Sequence, residues 1–438
     1  MPLHPYVAWT LTEEARALLA RLRRVKPFAL VESMLPAAAI MPNAQTAIEK
    51  YLAAGRRELH GRVLEFLSWL DSPQGRAADP EEAQHRFAIL RLRFNTVLTH
   101  FDVFDDVLTQ RSESETGIWL AGLDAVSTDA LALKGRYYEI PPVICYLDRG
   151  VGAAIRRART RLPGGGENPA AIVRVPRERM VGASIASSLI HEVGHQASVL
   201  LGLIDSLRPI LRGMQRNVGT ARIAWEFLER WISEILADFF SVARVGIGST
   251  MGLMGVVSLP RAFVFRISLD DPHPFPWIRV KISAAIGKAL FPHTQWDRLC
   301  RLWEALYPLE GLAPQRRQFI AILEHAIPGF VALLVNHRSR SLRGRTLAEV
   351  LETGERQPAR LSALFRSWRS APWRMYQARP SLVFAVIGQA RADGKLSPEH
   401  ESAILARLLT HWALRSSLES AARCAAAPPV RMRRAIAI

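Results

Sequence analysis

His191 and His195 stand four residues apart in "SSLIHEVGHQASVL" (187–200), with Glu192 between them in an otherwise apolar run. Residues four apart lie one turn above each other on a single helix face, so both imidazoles can reach one ion. Glu192 falls beside that face, where a carboxylate can take a proton from water polarised by the ion. The HExxH pattern therefore predicts a zinc site, one ion per chain, with Glu192 as general base. Gly194 has no side chain and leaves room for another segment to pack closely behind the two histidines. Ser184 or Ser187 is expected to help start the helix.

A zinc site of this kind needs a third ligand. The continuation HxxGxxH is ruled out, because Ser198 and Leu201 occupy the required positions. Asp205 is one alternative, ten residues beyond His195. The other is a second helix, "AWEFLERWISEILADFFSVARVG", which offers Glu226, Glu229, Glu234 and Asp238. Glu234 is the strongest of these. It sits among Trp231, Ile232, Ile235, Leu236 and Phe239, and a buried carboxylate in such company needs a cation or strong donors. Asp238 lies one turn further on and could accept the free ring N–H of a histidine ligand.

The piece "DPHPFPWIRV" (271–280) carries three prolines in five residues, which makes a stiff loop with few donors. Such a loop can hold His273 at fixed geometry, as a donor to the oxyanion of a tetrahedral intermediate. Arg279 follows in the first turn of the next helix and could pair with Asp238 or Glu234. Together, HEVGH, "SEILAD" and "DPHPFPWIR" resemble the gluzincin metallopeptidases, in particular the HtpX-type and CAAX-processing proteases. Soluble minimal gluzincins such as the ImmA-like proteases are similar but lack so clear an HP…R piece. The resemblance spans roughly residues 170–290 and implies zinc on His191, His195 and Glu234. It also implies Glu192 as base, Asp238 behind the ligands, and His273 and Arg279 near the site.

These residues must be positioned by helices and a small sheet. Amphipathic patterns at 11–24 and 44–71, and a run from Pro80 through Val107, make residues 1–130 an all-helical region. "IPPVICYL" (140–147) and "AAIVRVP" (170–176) read as short strands bounded by Pro and Gly. Ile172, Val173 and Arg174 are expected to form an edge strand along which a peptide substrate pairs. Tyr137, Tyr138 and Tyr146 are possible oxyanion donors, with core packing as the plainer role. Helical patterns follow at 221–245, 277–290, 294–307, 314–336, 346–353, 359–369, 380–392 and 398–416. The fold class expected is α+β and predominantly α-helical: a zincin-like core at 131–337 flanked by helical regions at 1–130 and 338–438. Residues 381–414 are similar to TerB-like helical domains and are read as an accessory module able to bind a protein partner. An EF-hand there is excluded, because Gln389 and Arg391 stand where acidic ligands are needed. Residues 428–438 are expected to be a loose basic tail.

With 49% hydrophobic residues the chain can bury a sizeable core. Three separated cysteines without CxxC spacing, and a start without signal-peptide character, predict a cytoplasmic protein. The apolar segment 245–267 is Gly-rich and holds Pro260, so membrane insertion is not expected; a buried or surface-adsorbed hairpin is. The net charge of +17 is carried mostly by arginines spread along the chain, with no recognisable nucleic-acid module. The function expected is a zinc-dependent peptidase acting on peptide or protein substrates. The alternatives are an inactive zinc-stabilised scaffold and a nonspecific nucleic-acid binder, the last marked by steeply salt-dependent affinity.

Overall fold

The structure is a computed structural model that describes residues 3–26, 33–149, 153–162, 166–177, 183–216 and 221–426. Ser184 has its backbone in a helix, but its side chain lies outside the described atoms, as does the basic tail. The chain is predominantly helical, with one small mixed sheet. It divides into two compact units. One groups Met1–Gly122 with Arg159–Ala170 and Leu409–Ile438; the other groups Leu123–Ala158 with Ala171–Leu408.

The first unit is built on α1 (Pro5–Arg24), α2 (Pro42–Asp71), α3 (Pro73–Ala77) and α4 (Pro80–Thr109). Proline opens each of them at a first-turn position, where its missing N–H costs nothing. Asp79 caps α4 by accepting the Glu82 N–H at 2.7 Å. Leu11, Ala15, Leu18 and Leu22 of α1 recur every three or four residues and are buried, as are Ile48, Leu52, Leu59 and Val63 of α2. That is the apolar stripe the sequence periodicity predicts. The division between units falls within α5 (Ser114–Leu131).

The second unit carries the sheet: β1 (Val143–Asp148), β2 (Ala154–Arg156) and β3 (Ala171–Pro176), in the order β1-β3-β2. β3 runs parallel to β1 and antiparallel to β2. This corrects the expectation for residues 172–174. Ile172 pairs with Ile144 and Arg156, Val173 with Cys145 and Ile155, and Arg174 with Tyr146 and Ala154. A strand paired on both sides has no free ladder for a peptide. The two edges are β1, where Asp124 already takes the Cys145 N–H at 2.7 Å, and β2.

α6 (Ala183–Leu200) lies against the sheet, and α7 (Leu203–Met214) and α8 (Ala221–Arg230) follow it. The helix expected over 221–245 is broken at Trp231, whose φ of −86° and ψ of 2° separate α8 from α9 (Ile232–Val245). All of α9 except Ser233 is buried, so it is the central helix of the unit. Gly246, at φ +62°, turns the chain into α10 (Ile247–Val257), with α11 (Arg261–Val264) beyond Pro260. The apolar segment is thus a mostly buried helix followed by a short one, not a hairpin. Gly248 of α10 approaches Gly388 so closely that a Cβ at either position would meet the other's Cα within 3.2 Å.

α12 (Pro276–Leu290) packs on α9 and on α14 (Pro314–Asn336), with α13 (Gln295–Leu306) between them in sequence. Among the described residues, α14 is the helix long and apolar enough to cross a membrane. One of its faces, with Ile320, Leu323, Ile327, Phe330 and Leu334, is buried against the rest of the unit. The later helices are α15 (Leu347–Val350), α16 (Pro358–Ser370), α17 (Trp373–Gln377), α18 (Pro380–Ala392) and α19 (Pro398–Ala426). Gly394, at φ +68°, ends α18: its own N–H reaches the Arg391 carbonyl, and the Lys395 N–H reaches Ala390. Ser397 then starts α19 by accepting the His400 N–H at 3.3 Å.

Candidate metal centre

α6 and α9 cross closely because Gly194 faces Ala237. A Cβ on Gly194 would lie 2.9 Å from both the Cα and the carbonyl oxygen of Ala237. The crossing brings the histidine face of α6 onto the first turn of α9, which carries Glu234. His191 Nε2 lies 3.3 Å from Glu234 Oε2, and His195 Nε2 lies 3.4 Å from Glu234 Oε1. One ligand atom from each of the three residues falls within 4.8 Å of the others. Glu234, the third ligand expected from the sequence, is therefore the carboxylate that the fold brings to the two histidines, in a group that could hold a metal ion.

The other nitrogen of each ring is occupied. His191 Nδ1 sits 2.7 Å from Asp238 Oδ1, and His195 Nδ1 lies 3.3 Å from the Ser233 hydroxyl. Partners on Nδ1 orient the rings and leave both Nε2 atoms facing Glu234, as histidine ligands require. Arg279, from the first turn of α12, grips Asp238 through Nε to Oδ2 at 2.7 Å and Nη2 to Oδ1 at 2.9 Å. Asp238 and Arg279 thus form a bidentate pair behind the histidines. Glu192 is buried at 8% exposure in the same helix turn as His191.

His273 reaches the site from the proline-rich loop. Its Nε2 lies 3.1 Å from Glu234 Oε2, while Asp271 accepts both its ring Nδ1–H at 2.7 Å and its backbone N–H at 2.9 Å. Sequence reasoning missed Asp271 and Ser233. An aspartate two residues before the histidine is a known turn signal and could have pointed to the first; nothing local marks Ser233.

The rejected ligands are accounted for. Asp205 is exposed in the first turn of α7. Glu229 pairs with Arg208 and Arg212, and Glu226 with Arg222. Tyr138 donates its hydroxyl to the Leu131 carbonyl at 2.7 Å, and Tyr137 lies against Arg343, so neither is directed at the histidines.

Compared with protein-family models, with curated proteins and with solved structures, the chain has no match. The site has to be judged on its geometry. Its carboxylate is the clearest test. Glu234 Oε2 is buried with no aligned hydrogen-bond donor, although two imidazole nitrogens lie within 3.3 Å of it. Three side chains whose potential ligand atoms face one another, with one carboxylate oxygen lacking an aligned donor, suit a cation placed among them. Two imidazoles and a carboxylate are also a donor set that zinc favours.

The charges agree. Burial alone would raise the Glu234 carboxyl pKa, but the close imidazoles of His191, His195 and His273 outweigh it and hold the pKa far below the carboxylate range. Burial likewise opposes ionisation of Asp238, and Arg279 with His191 reverses it. His191 is pushed up to about 9: burial favours the neutral ring, but the Asp238 charge and hydrogen bond prevail.

A cavity of about 410 Å³ adjoins the centre, with His273 and Arg279 in its wall. The rest of the lining is largely apolar, including Trp231, Val257, Leu259, Phe263 and Phe275.

Proposed function

We propose that the protein is a zinc-dependent peptidase of gluzincin type. The observation that carries this reading is the convergence of His191 Nε2 and His195 Nε2 on the Glu234 carboxylate, with Glu192 next to His191 in the same helical turn. His191, His195 and Glu234 would hold the ion, and Asp238 with Arg279 would keep His191 oriented. A zinc ion held there would supply Lewis acidity toward a peptide carbonyl and a nucleophilic water near neutral pH. Glu192 accepts the proton of the attacking water and passes it to the leaving amine. His273, half-exposed and anchored by Asp271, is the candidate donor to the developing oxyanion.

The substrate is a peptide. A bulky apolar side chain of that peptide fits the cavity walled by Trp231, Val257, Leu259 and Phe263.

The experiment is metal analysis combined with a peptide-library digestion read by mass spectrometry. Wild-type protein should hold about one zinc per chain and cut peptides beside large apolar residues. Glu192→Gln should keep the zinc and lose at least about a hundredfold in rate, the scale of a general base. Wild-type protein that never takes up zinc would end the proposal. Full zinc with no cleavage would leave a structural centre in a binding protein.

A further inference from the structure

The C-terminal end of α9 meets a second concentration of charge, far along the helix from Glu234. Arg244 is fully buried, and its Nη2 donates to the Asp129 and Ala132 carbonyls at 2.9 and 3.2 Å. Its Nε and Nη1 have no acceptor among the described residues. Arg356 is 1% exposed; its Nε donates to the Arg244 carbonyl at 2.7 Å and its Nη2 to the Ser381 hydroxyl at 3.3 Å. Its Nη1 also lacks an acceptor.

The neighbouring carboxylates pair with other cations, although Glu352 Oε2 is left without a hydrogen-bond donor among the described residues. Asp129 takes Arg379 Nε on one oxygen and the Ser381 N–H on the other, both at 2.8 Å. Glu352 and Glu355 pair with Lys134 at 2.7 and 3.1 Å, and Glu352 also lies 3.7 Å from Arg379. Arg244, Arg356, Arg379 and Lys134 are linked to Asp129, Glu352 and Glu355, and Arg360 also acts on Glu355, so positive charge is in excess. Burial, reinforced by Arg244 and Arg379, pushes Arg356 down to about 9. A guanidinium does not give up its proton in a protein, so the charge stays and needs a partner.

Unsatisfied donors on buried cations are costly in two ways, as lost hydrogen bonds and as uncompensated charge. A buried water would answer the first and not the second. A monovalent anion answers both. The burial of both side chains favours a small ion over an oxyanion, and the excess of positive charge favours an anion over a neutral molecule.

We propose that a chloride ion is bound in the interior at Arg244 and Arg356, accepting from the N–H groups left free on both. It would neutralise the far end of the helix whose first two turns present Glu234 and Asp238.

Two measurements test this on the full-length protein. Crystals grown with bromide in place of chloride should show an anomalous peak beside both guanidiniums. No peak there, or density that refines as water alone, overturns the proposal. Thermal unfolding at constant ionic strength, with gluconate replaced stepwise by chloride, should show a saturable rise in Tm for the wild type. The rise should vanish in Arg356→Met, and an equal rise in that variant also overturns the proposal. If Arg356→Met does not fold, the bromide map of the wild type decides alone.

Discussion

Asp238 locks His191 in place: its Oδ1 lies 2.7 Å from the ring Nδ1, and Arg279 holds both of its oxygens from the other side. Orientation of a ligand by such a carboxylate is worth about 10–100-fold in metal affinity. Asp238→Asn should weaken zinc binding by that factor, measured by competition with a chromogenic chelator. Unchanged affinity would show that Asp238 serves only to pair with Arg279.

Gly194→Ala should damage both fold and centre. The added methyl meets the Ala237 backbone at 2.9 Å and the Phe240 Cβ at 3.1 Å, and a backbone cannot swing aside as a side-chain tip can. Overpacking of this kind costs about 1–3 kcal/mol, and separating α6 from α9 also draws Glu234 away from the histidines. Denaturant unfolding and zinc content should fall together. Gly255→Ala, where nothing lies within 4 Å, is the control and should be neutral or stabilising.

Zinc uptake should release a proton. In the metal-free protein His191 is pushed up to about 9, so at neutral pH both of its nitrogens are protonated. Zinc needs the Nε2 lone pair, and its binding must displace that proton. Affinity should therefore rise with pH, by up to about tenfold per unit from this group, and level off near 9. Calorimetry in buffers of different ionisation enthalpy reads the proton directly. An affinity flat with pH would refute the assignment.

On the acid side, Asp129 should contribute to stability with a definite sign. Burial opposes its ionisation, but Arg379, the Ser381 N–H and Arg244 outweigh that and hold its carboxyl below the ordinary 3.8. Its contribution is complete above 3.8 and is lost as pH falls through the lower folded value. Asp129→Asn should flatten that part of the acid unfolding curve. It should also destabilise at neutral pH by somewhat less than the ~3–5 kcal/mol of a fully buried pair, because Arg379 is 35% exposed. An acid limb identical to wild type would rule this out.

Much of the centre could be read from residue order. Helical period alone places His191 and His195 on one face, because a backbone repeat of about 3.6 residues is a local property. Glu234 stood out because a carboxylate inside an apolar run has to find a partner. Helix limits such as Pro314–Asn336 and Pro380–Ala392 followed from proline starts and turn residues, which act within a few positions.

Other features depended on contacts between distant segments. β3 has the alternation and composition of an edge or a central strand equally well, and only its pairing with both β1 and β2 made it central. The break at Trp231, the placing of His273 beside Glu234 and the meeting of Arg244 with Arg356 belong to the same class. So does the grouping of Arg159–Ala170 with the N-terminal helices. The sequence by itself determined which side chains could act together on one helix. Tertiary structure decided which helix faces which, because that depends on close packing, such as Gly194 on Ala237, between residues far apart in the chain.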